Sequence, residues 1–587
     1  MSTVADAIVD RLLDWGVDRV FGYAGDGIDP ILAALDRRED RISLVTARHE
    51  EMAAFMATGH AKYGGGVGVC LATQGPGAVH LLNGLYDAKL DRVPVVAIVG
   101  QVVSTALGSG YLQEVDLHTV FKDVCAQYLQ TVMTPEQLPH VLDNAFRTAL
   151  ATSSPVCVIV PHDVQKADPV EDLHGHGLVP TSTAVARGRS LPRDEELSEA
   201  VALLSAGQRV AVLAGQGARG AADEVAAVVE RLGAGLTTSL LGKPLLDESS
   251  PGHCGVMGHL GTTASADLMA GCDTLLIVGS NDPWTEFYPA PGQARAVQID
   301  VTARNIGTKY PVELALVGDA RDTLGALLAR LPARDGWRGE VEGFRSRWQE
   351  TARQRVEQKA DRLNPQLVVK ELSAHLPPDA QVAVDVGSVT YWYARFLHLP
   401  PGVPAHLSST LASMGSALPY GLAAKLLHDD RPVVALAGDG AMQMNGLAEL
   451  ITVADRWRDW TDPRFVVLVL HNGDLSEVSW EQREMEGDPR FVTSQRVPAF
   501  PYAAYAELLG LTGIRVSDSN DVATAWRTAF AADRPVVVEA VVDPDVPLLA
   551  PRQPQEKVDQ TVRGLEQEPD AGTAVRLLGE QRAHENG

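Results

Sequence analysis

The sequence has few cysteines, no long apolar run and fewer basic than acidic residues. Its five cysteines include no C-x-x-C pair, so neither a disulfide framework nor a zinc site is expected. No apolar run approaches the ~18 residues of a membrane span, and the first residues lack a basic region followed by an apolar stretch. The 50 Lys and Arg against 75 Asp and Glu give a net charge of -25, which disfavours nucleic-acid binding. We therefore predict a cytoplasmic protein without an integral membrane segment.

The 587 residues are enough for several domains, and polar or proline-bearing joints separate three blocks of alternating strand and helix patterns. Short apolar runs at 67–72, 95–99 and 156–160 in the first block, 209–214, 274–278 and 296–299 in the second, and 535–542 in the third are typical of buried strands. This pattern predicts an α/β fold of three doubly wound domains with mainly parallel sheets. The predicted ranges are a first domain at 1–166, a linker at 167–193, a central domain at 194–335, a linker helix at 336–363, a third domain at 364–545 and a polar tail at 546–587, expected to be a loop and a short helix.

Gly438, Asp439 and Gly440 follow an apolar run at 433–437, and Asn472 follows a second run at 465–470. Since open α/β sheets bind ligands beyond the carboxyl ends of their strands, the Asp439 carboxylate and the Asn472 amide oxygen are expected to face one ion. Mg²⁺ prefers hard oxygen ligands and usually keeps phosphate oxygens among them. The glycines let backbone N–H groups approach such phosphates. The sequence therefore predicts a magnesium diphosphate site.

This spacing resembles the cofactor motif of thiamine diphosphate (ThDP) enzymes, although that family often has Asn-Asn where this chain has His471-Asn472. The resemblance implies that Asp439, Asn472 and a backbone carbonyl near Asp474 hold Mg²⁺. It also implies that Met414 is an apolar wedge that keeps ThDP bent. Without the resemblance, a methionine at this position would be interpreted as part of the hydrophobic core. The residues that the resemblance places around the diphosphate and the thiazolium ring are Gly387, Ser388, Ala412, Met414, Gly438, Gly440 and Ala441.

Glu50 opens a predicted helix, where a carboxylate can simply serve as a helix cap. Its segment also resembles the Arg-His-Glu segment of ThDP enzymes, in which the glutamate bonds the aminopyrimidine ring and promotes deprotonation of the thiazolium C2. By the same resemblance Pro76 and Asn83 line the pyrimidine pocket, and Gln113 and Tyr111 contact substrate. A similar triplet, Gly25-Asp26-Gly27, is not followed by a strand and Asn at the required distance. We expect it to be a turn that lines the cofactor site without metal.

Five further segments, at 48–55, 108–114, 281–289, 298–300 and 316–319, resemble the pyruvate oxidase (quinone-type pyruvate dehydrogenase) branch, which is close to acetolactate synthase. In those relatives the central domain binds FAD. A glycine turn alone is weak support for a nucleotide and also suits a plain strand-to-helix turn. The residues expected around FAD are Gly215, Gly217, Arg219, Gly279, Asn281 and Asp300.

The resemblance implies ThDP- and Mg²⁺-dependent decarboxylation of a 2-oxo acid, with pyruvate favoured, and oxidation of the resulting enamine through FAD to acetate. A quinone or another acceptor would take the electrons. An acetolactate-synthase-like carboligase and a non-oxidative decarboxylase remain alternatives, as does a scaffold protein without turnover, although loss of Glu50 would be expected in a scaffold. Since family members share sites between subunits, a homodimer or homotetramer is expected.

Two features depart from the branch. Glu477 stands where the quinone-linked enzyme has a phenylalanine, and a carboxylate there either points to solvent or acquires a raised pKa and acts as an acid. The tail at 575–587 lacks the large apolar face that lipid binding requires, so activation by lipid is not expected.

Overall fold

The computed structural model describes residues 2–170, 174–186 and 188–586. Residues 171–173 and 187 of the predicted linker at 167–193 lie outside these described residues. Three six-stranded sheets follow one another along the chain, and every strand pair within them is parallel. The predicted α/β fold of three domains with parallel sheets is confirmed.

The first sheet has the strand order β2-β1-β3-β4-β6-β5. Its inner strands are continuous apolar runs buried on both faces, as expected for parallel strands covered by helices. Its strands are β1 (Arg19–Gly22), β2 (Ser43–Thr46), β3 (Gly68–Ala72), β4 (Val95–Gln101), β5 (Leu129–Thr131) and β6 (Pro155–Pro161). Its helices are α1 (Val4–Asp14), α2 (Asp29–Asp36), α3 (Glu50–Gly64), α4 (Pro76–His80), α5 (Leu82–Leu90), α6 (Leu117–Phe121), α7 (Leu138–Thr152) and α8 (His162–Lys166).

The central sheet has the order β12-β11-β10-β7-β8-β9, which read from β9 is the order of a dinucleotide-binding fold. The strand order reverses between β7 and β10, so a crevice is expected beyond their carboxyl ends. Its strands are β7 (Val210–Ala214), β8 (Gly235–Thr238), β9 (His253–Val256), β10 (Thr274–Val278), β11 (Arg295–Asp300) and β12 (Leu314–Val317). Its helices are α9 (Asp194–Ala206), α10 (Ala222–Leu232), α11 (Thr263–Gly271) and α12 (Ala320–Leu328), and the linker helix α13 (Arg338–Glu357) follows.

The third sheet repeats the topology of the first, with the order β14-β13-β15-β16-β18-β17. Its reversal point lies between β13 and β15. Its strands are β13 (Gln381–Val384), β14 (Ala405–His406), β15 (Val433–Gly438), β16 (Phe465–His471), β17 (Thr512–Val516) and β18 (Val536–Val541). Its helices are α14 (Pro365–Leu372), α15 (Ser388–Phe396), α16 (Ala417–Leu427), α17 (Asp439–Ala441), α18 (Leu447–Arg456), α19 (Ser476–Glu486), α20 (Val492–Gln495), α21 (Tyr502–Leu508) and α22 (Val522–Ala531).

The first and third domains share one hydrophobic core, in which α3 packs on α16. A buried polar cluster crosses this contact: the Lys62 ammonium lies 2.7 Å from an Asp91 carboxylate oxygen and 2.7 Å from the Tyr420 hydroxyl. The Tyr420 hydroxyl also bonds to Asp87. The ion pair of Lys62 with Asp91 lies within the first domain, whereas the hydrogen bonds of the Tyr420 hydroxyl with Lys62 and Asp87 form only when the two domains are packed in this arrangement.

The tail is more helical than predicted. It forms α23 (Gln555–Glu566) and α24 (Gly572–Asn586), which pack against α19 and α13 respectively. Val558, Val562 and Leu565 recur at helical spacing and pack into the core of the third domain. This spacing is visible in the sequence, but the many polar residues between the apolar ones obscured it. None of the described helices combines the length and apolar character that a membrane crossing requires.

The tail is joined to α19 by a buried ion pair. The Arg483 side chain, 1% exposed, donates two hydrogen bonds of 2.7 and 2.8 Å to the Glu568 carboxylate. We expect Glu568→Ala to destabilise docking of the tail by about 3–5 kcal/mol, because the guanidinium is left buried without its partner. Thermal unfolding should begin at a lower temperature, and limited proteolysis should cut the tail first. Glu566→Ala, at an exposed position of α23, is the matched control and should behave as the parent. Equal protease resistance of the two variants would contradict the prediction.

Candidate active site

The predicted diphosphate residues meet at the reversal point of the third sheet. Gly387 and Ser388 follow β13, and Gly438, Gly440 and Ala441 follow or end β15, its neighbour. Gly387 has a φ of +123°, which favours glycine, and a Cβ there would meet no atom within 4 Å. The backbone N–H groups at the starts of α15 and α17 therefore border open space at the carboxyl ends of adjacent strands.

Asp439 is held rigidly at the end of β15. One carboxylate oxygen accepts a 2.9 Å bond from the Gly440 N–H, and the other accepts a 2.7 Å bond from the Gly473 N–H. Asn472 lies on the same edge, where its side-chain oxygen accepts from the Asp474 N–H and its amide donates to Ser476, each at 2.8 Å. Burial raises the pKa of the Asp439 carboxyl to about 6. A hard cation would relieve this cost, and the carboxylate and amide oxygens are the ligands that Mg²⁺ prefers.

The segment that carries Met414 is anchored by a carboxylate to which the sequence alone assigned no role. Asp385, after β13, accepts a 2.7 Å bond from the Gly415 N–H and a 3.1 Å bond from the Ala417 N–H. Ala412 has a φ of +56°, a conformation that costs energy for a residue with a Cβ. Met414 then reaches Gly440, where a Cβ would lie 3.2 Å from the Met414 Cε. The wedge is thus positioned by a buried carboxylate and a strained turn.

Glu50 lies at the first position of α3 and is 8% exposed. Its carboxylate lies 2.9 Å from the Nδ1 of His80, and a Cβ at Gly77 would lie 3.1 Å from its other oxygen. The N-cap of α3 is His49, whose ring nitrogen accepts from the Glu51 N–H at 3.2 Å. Glu50 therefore does not cap the helix, and its carboxylate is available beside the turn after β3.

The other first-domain candidates border the reversal point between β1 and β3. Gly27 donates a 3.0 Å bond to Thr73, so the turn at Gly25-Asp26-Gly27 packs on the turn after β3. Gln74 donates to Gln113 at 3.0 Å, and Gln113 has a φ of +63°. Tyr111 is 57% exposed, and Pro76, at the start of α4, is also exposed. Gln113 is thus fixed against the turn after β3, whereas Tyr111 faces outward from the chain.

Asn83 connects the first domain to the third. Its amide donates to Glu51 at 2.6 Å and to the Ser413 hydroxyl at 2.8 Å. The Arg48 N–H donates a 2.7 Å bond to the buried Glu449 of α18. These bonds hold the Glu50 segment against the segment that carries Met414. The roles of Glu449 and Ser413 were not predicted, because their contacts join segments more than 300 residues apart, and that of Glu51 was not predicted because its partner Asn83 is 32 residues away.

Glu477 is half-buried near the start of α19, between solvent and the protein interior. Burial, and secondarily the neighbouring Glu481, raises its pKa to about 7. Across from α19 lies a buried histidine of the central domain, His259, which contacts the Tyr391 hydroxyl at 2.8 Å and a Glu484 oxygen at 3.5 Å. The role of Glu477 as an acid stays a prediction.

The FAD candidates gather beyond β7, β10 and β11, at the reversal point of the central sheet. Gly215 and Gly217 are needed for backbone packing, since a Cβ on either would lie under 3 Å from Gly279. Asp300 accepts from the Thr302 N–H at 2.8 Å. The side chains of the two remaining candidates already form hydrogen bonds within the chain. Asn281 accepts from Thr308 at 3.0 Å, and Arg219 donates to Leu241 at 2.7 Å. The topology suits a dinucleotide, whereas the guanidinium of Arg219 is divided between Leu241 of the central domain and the third domain, where its Nη1 lies 3.1 Å from a ring nitrogen of His406.

Comparison with known sequences gives a match in each of the three domains. Residues 2–120 match the N-terminal TPP binding domain of thiamine pyrophosphate enzymes, 197–327 the central domain and 385–540 the C-terminal TPP binding domain. The chain belongs to the thiamine pyrophosphate enzyme family. It is 33% identical to a putative thiamine pyrophosphate-containing protein, YdaP, of Bacillus subtilis, over 93% of this chain and 92% of that protein.

Two characterised types of enzyme in this family are similarly related. Pyruvate oxidase of Lactiplantibacillus plantarum is 29% identical over 93% of this chain and 90% of that enzyme. The acetolactate synthase large subunit of Corynebacterium glutamicum is 32% identical over 92% of this chain and 87% of that protein. The predicted family, close to acetolactate synthase, is confirmed. These identities do not separate one reaction from the other.

The residues present fit thiamine diphosphate with a divalent metal. Asp439 and Asn472 would offer oxygen atoms to the metal, and the turn at Gly387 leaves room for phosphate oxygens beside backbone N–H groups. Met414 would offer an apolar surface beside Gly440. The sequence did not reveal the roles of the Asp385 carboxylate and of His80. Asp385 is the first residue of the segment Asp385-Val386-Gly387-Ser388, which was predicted to donate to the diphosphate through its hydroxyl and backbone, and this position was the available signal.

Asp385 provides a test of this geometry. We expect Asp385→Asn to weaken binding of thiamine diphosphate by about tenfold or more, because the amide can accept through only one atom and leaves one buried N–H of the Met414 segment unpaired, at about 1–3 kcal/mol. Binding is measured by the change in tryptophan fluorescence on titration with the cofactor and Mg²⁺. Asp533→Asn, on the surface, is the control and should bind as the parent does. Unchanged affinity in Asp385→Asn would show that the segment does not depend on this carboxylate.

Proposed function

We propose that this protein is a ThDP- and Mg²⁺-dependent enzyme that decarboxylates a 2-oxo acid, with pyruvate favoured, and oxidises the remaining two-carbon unit to acetate through FAD. The observation that carries the proposal is Glu50, a buried carboxylate that is held by His80 instead of capping its helix. Such a carboxylate suits the proton transfer at the aminopyrimidine ring that this cofactor needs. When bound, ThDP supplies the nucleophilic carbon and accepts the electron pair released with CO₂.

The residues of the chain bind, orient and transfer protons. Asp439, the Asn472 side chain and a carbonyl near Asp474 would hold the metal, and Met414 would fix the shape of the cofactor. Glu50 would hold a proton at the aminopyrimidine nitrogen. Gln113, fixed by Gln74, would contact the substrate. Tyr111 would contact the substrate once a second subunit covers its exposed side chain. This exposure supports the proposal of a homodimer or homotetramer.

Glu477 would govern the fate of the two-carbon unit after decarboxylation. With a pKa near 7, its carboxyl is neutral below that pH and becomes anionic above it. A neutral carboxyl can donate a proton to a developing negative charge, whereas a carboxylate would repel a negatively charged substrate. A neutral carboxyl at this position therefore favours protonation of the two-carbon unit, which is the step of the non-oxidative alternative.

The oxidative part of the proposal is supported by the central domain. Its strand order is that of a dinucleotide-binding fold, and Gly215, Gly279 and Asp300 lie at the reversal point. FAD would bind there, and a quinone or another acceptor would take its electrons. The second candidate is a carboligase that adds the two-carbon unit to another carbonyl compound, and the identity to an acetolactate synthase supports it. A non-oxidative decarboxylase is the third outcome.

The first test concerns Glu50. We expect Glu50→Gln to bind ThDP and Mg²⁺ nearly as the parent does and to decarboxylate pyruvate about 10²-fold or more slowly, because the amide cannot exchange the proton. Single-turnover release of CO₂ measures the effect. Glu39→Gln, at an exposed position in the same domain, should retain parental activity. Parental turnover in Glu50→Gln would refute the assigned role.

The second test identifies the reaction. Purified protein loaded with ThDP and Mg²⁺ is incubated with pyruvate, with and without an artificial electron acceptor, and the products are identified by mass spectrometry. We expect a yellow protein with bound FAD and acetate formed in step with acceptor reduction. Acetolactate formed regardless of acceptor would favour the carboligase. Acetaldehyde from a colourless protein would favour the simple decarboxylase.

A further inference from the structure

A cavity of about 360 Å³ lies where the central domain, the linker helix α13 and the third domain meet. Its volume is within the range of small-molecule sites. The walls come from β9 and the start of α11 on one side, from α13 on another and from the ends of α14 and α15 on the third. None of the residues assigned to the diphosphate, the metal or the flavin lines it.

The cavity is separate from the proposed active site. α15 begins at Ser388, beside the diphosphate turn, and its last residues, from Ala394 to Phe396, line the cavity. At 1.5 Å per residue the nine residues of this helix span about 13 Å. Ligands can therefore occupy both places at once, and binding in the cavity does not depend on the reaction at the active site.

Part of the cavity wall is apolar. Trp348, Ala352 and Val356 project from α13 at helical spacing, and Phe396 faces them from α15. Trp348 and Phe396 have ring centroids 6.3 Å apart. An apolar group that entered this space would contact both rings.

Most of the charged groups in the wall already have partners. Glu248 pairs with Lys243 and lies 3.4 Å from the ring of His398. Arg353 contacts Glu350 at 2.6 Å and Glu357 at 2.7 Å. Arg345 contacts Glu342 at 2.7 Å. Glu248 and Arg345 are each neutralised by a partner, whereas Arg353 faces two carboxylates, so these groups together keep one negative charge.

Two cations lack a carboxylate partner within 4.0 Å among the described residues. Arg395, 3% exposed, donates from Nε and Nη2 only to backbone carbonyls, among them Gly261 at 2.9 Å and Leu549 at 2.6 Å. Burial lowers its pKa to about 10, so it stays charged at neutral pH. Lys370 lines the opening from α14 and forms no ion pair in the described part of the chain. The cavity therefore has an excess of positive charge.

His253 adds a neutral donor. Its Nδ1 accepts a 3.0 Å bond from the Gly255 N–H, so its hydrogen is on Nε2, and this buried atom has no hydrogen-bond partner among the described residues. The residue is 3% exposed and lines the cavity. A buried donor without an acceptor is costly, and an oxygen of a ligand would satisfy it after a small shift of the ring. The carbonyl groups at the end of α15 would repel an anion in the cavity. This repulsion is reduced because the Ala394 carbonyl already accepts a hydrogen bond from the Lys243 ammonium.

We propose that this cavity is a second ligand site, which binds a small carboxylate with an apolar body between the cations Lys370 and Arg395 and the rings of Trp348 and Phe396. The carboxylate would accept from the two cations, and the apolar body would lie on α13. A metabolite of this class would then bind the enzyme without entering the active site.

The probe for this site is phenylacetate, titrated into protein loaded with ThDP and Mg²⁺ and followed by calorimetry. We expect one saturable site per chain and binding at least about tenfold weaker for the neutral analogue phenylacetamide. Lys370→Met should weaken binding about tenfold, whereas Lys359→Met, an exposed lysine that does not line the cavity, should leave it unchanged.

A second variant tests the place of binding independently of charge. Ala352→Phe fills the cavity from α13 and should abolish the phenylacetate signal, while ThDP binding confirms that the variant is folded. Absence of saturable binding to the parent at millimolar concentration would overturn the proposal. Binding that is unchanged in both Lys370→Met and Ala352→Phe would also overturn it, since the anion would then be elsewhere. Failure of the proposed reaction would leave these measurements unaffected.

Discussion

Parallel pairing of β13, β15 and β16 is the constraint on which the candidate site depends. Because all three strands end at the same edge, the turn at Gly387, the Asp439 carboxylate and the Asn472 amide are brought together from separate parts of the chain. The first and central sheets reverse their strand order in the same way and present their own turns. Each domain therefore offers one crevice, and the side chains at its rim decide what it binds.

A second constraint is the contact between the first and third domains. Lys62 and Asp91 of the first domain form a buried ion pair, and the Tyr420 hydroxyl of the third domain completes its hydrogen bonds when α3 and α16 are packed together. Such a cluster is costly if one partner is missing, so it favours one relative position of the two domains. Asn83 and Arg48 add hydrogen bonds at the same interface. As a result Glu50 is presented at a defined position relative to the third domain.

The family resemblance and the three parallel sheets could be predicted from the sequence, because apolar runs and glycine-containing motifs are local signals. The tail illustrates the limit. Val558, Val562 and Leu565 have helical spacing, yet only docking on the third domain shows that they are core residues. Glu477 is a similar case, since the sequence leaves its environment open, and burial next to Glu481 accounts for the raised pKa. Asp385 was adjacent to a recognised motif, but its role depends on N–H groups 30 and 32 residues away.

The sequence by itself determined the strand ends, the type of ligand atoms at Asp439 and Asn472, and the presence of Glu50, because each of these is a property of residues close together in the chain. Only the tertiary structure decided that His80 holds Glu50, that Arg219 reaches His406 of the third domain and that a cavity with unpaired cations lies beside α13. Hydrogen bonds, desolvation and enclosed volume depend on groups brought together from distant parts of the chain. No local sequence pattern predicts the distances between such groups, because the packing of the three domains determines them.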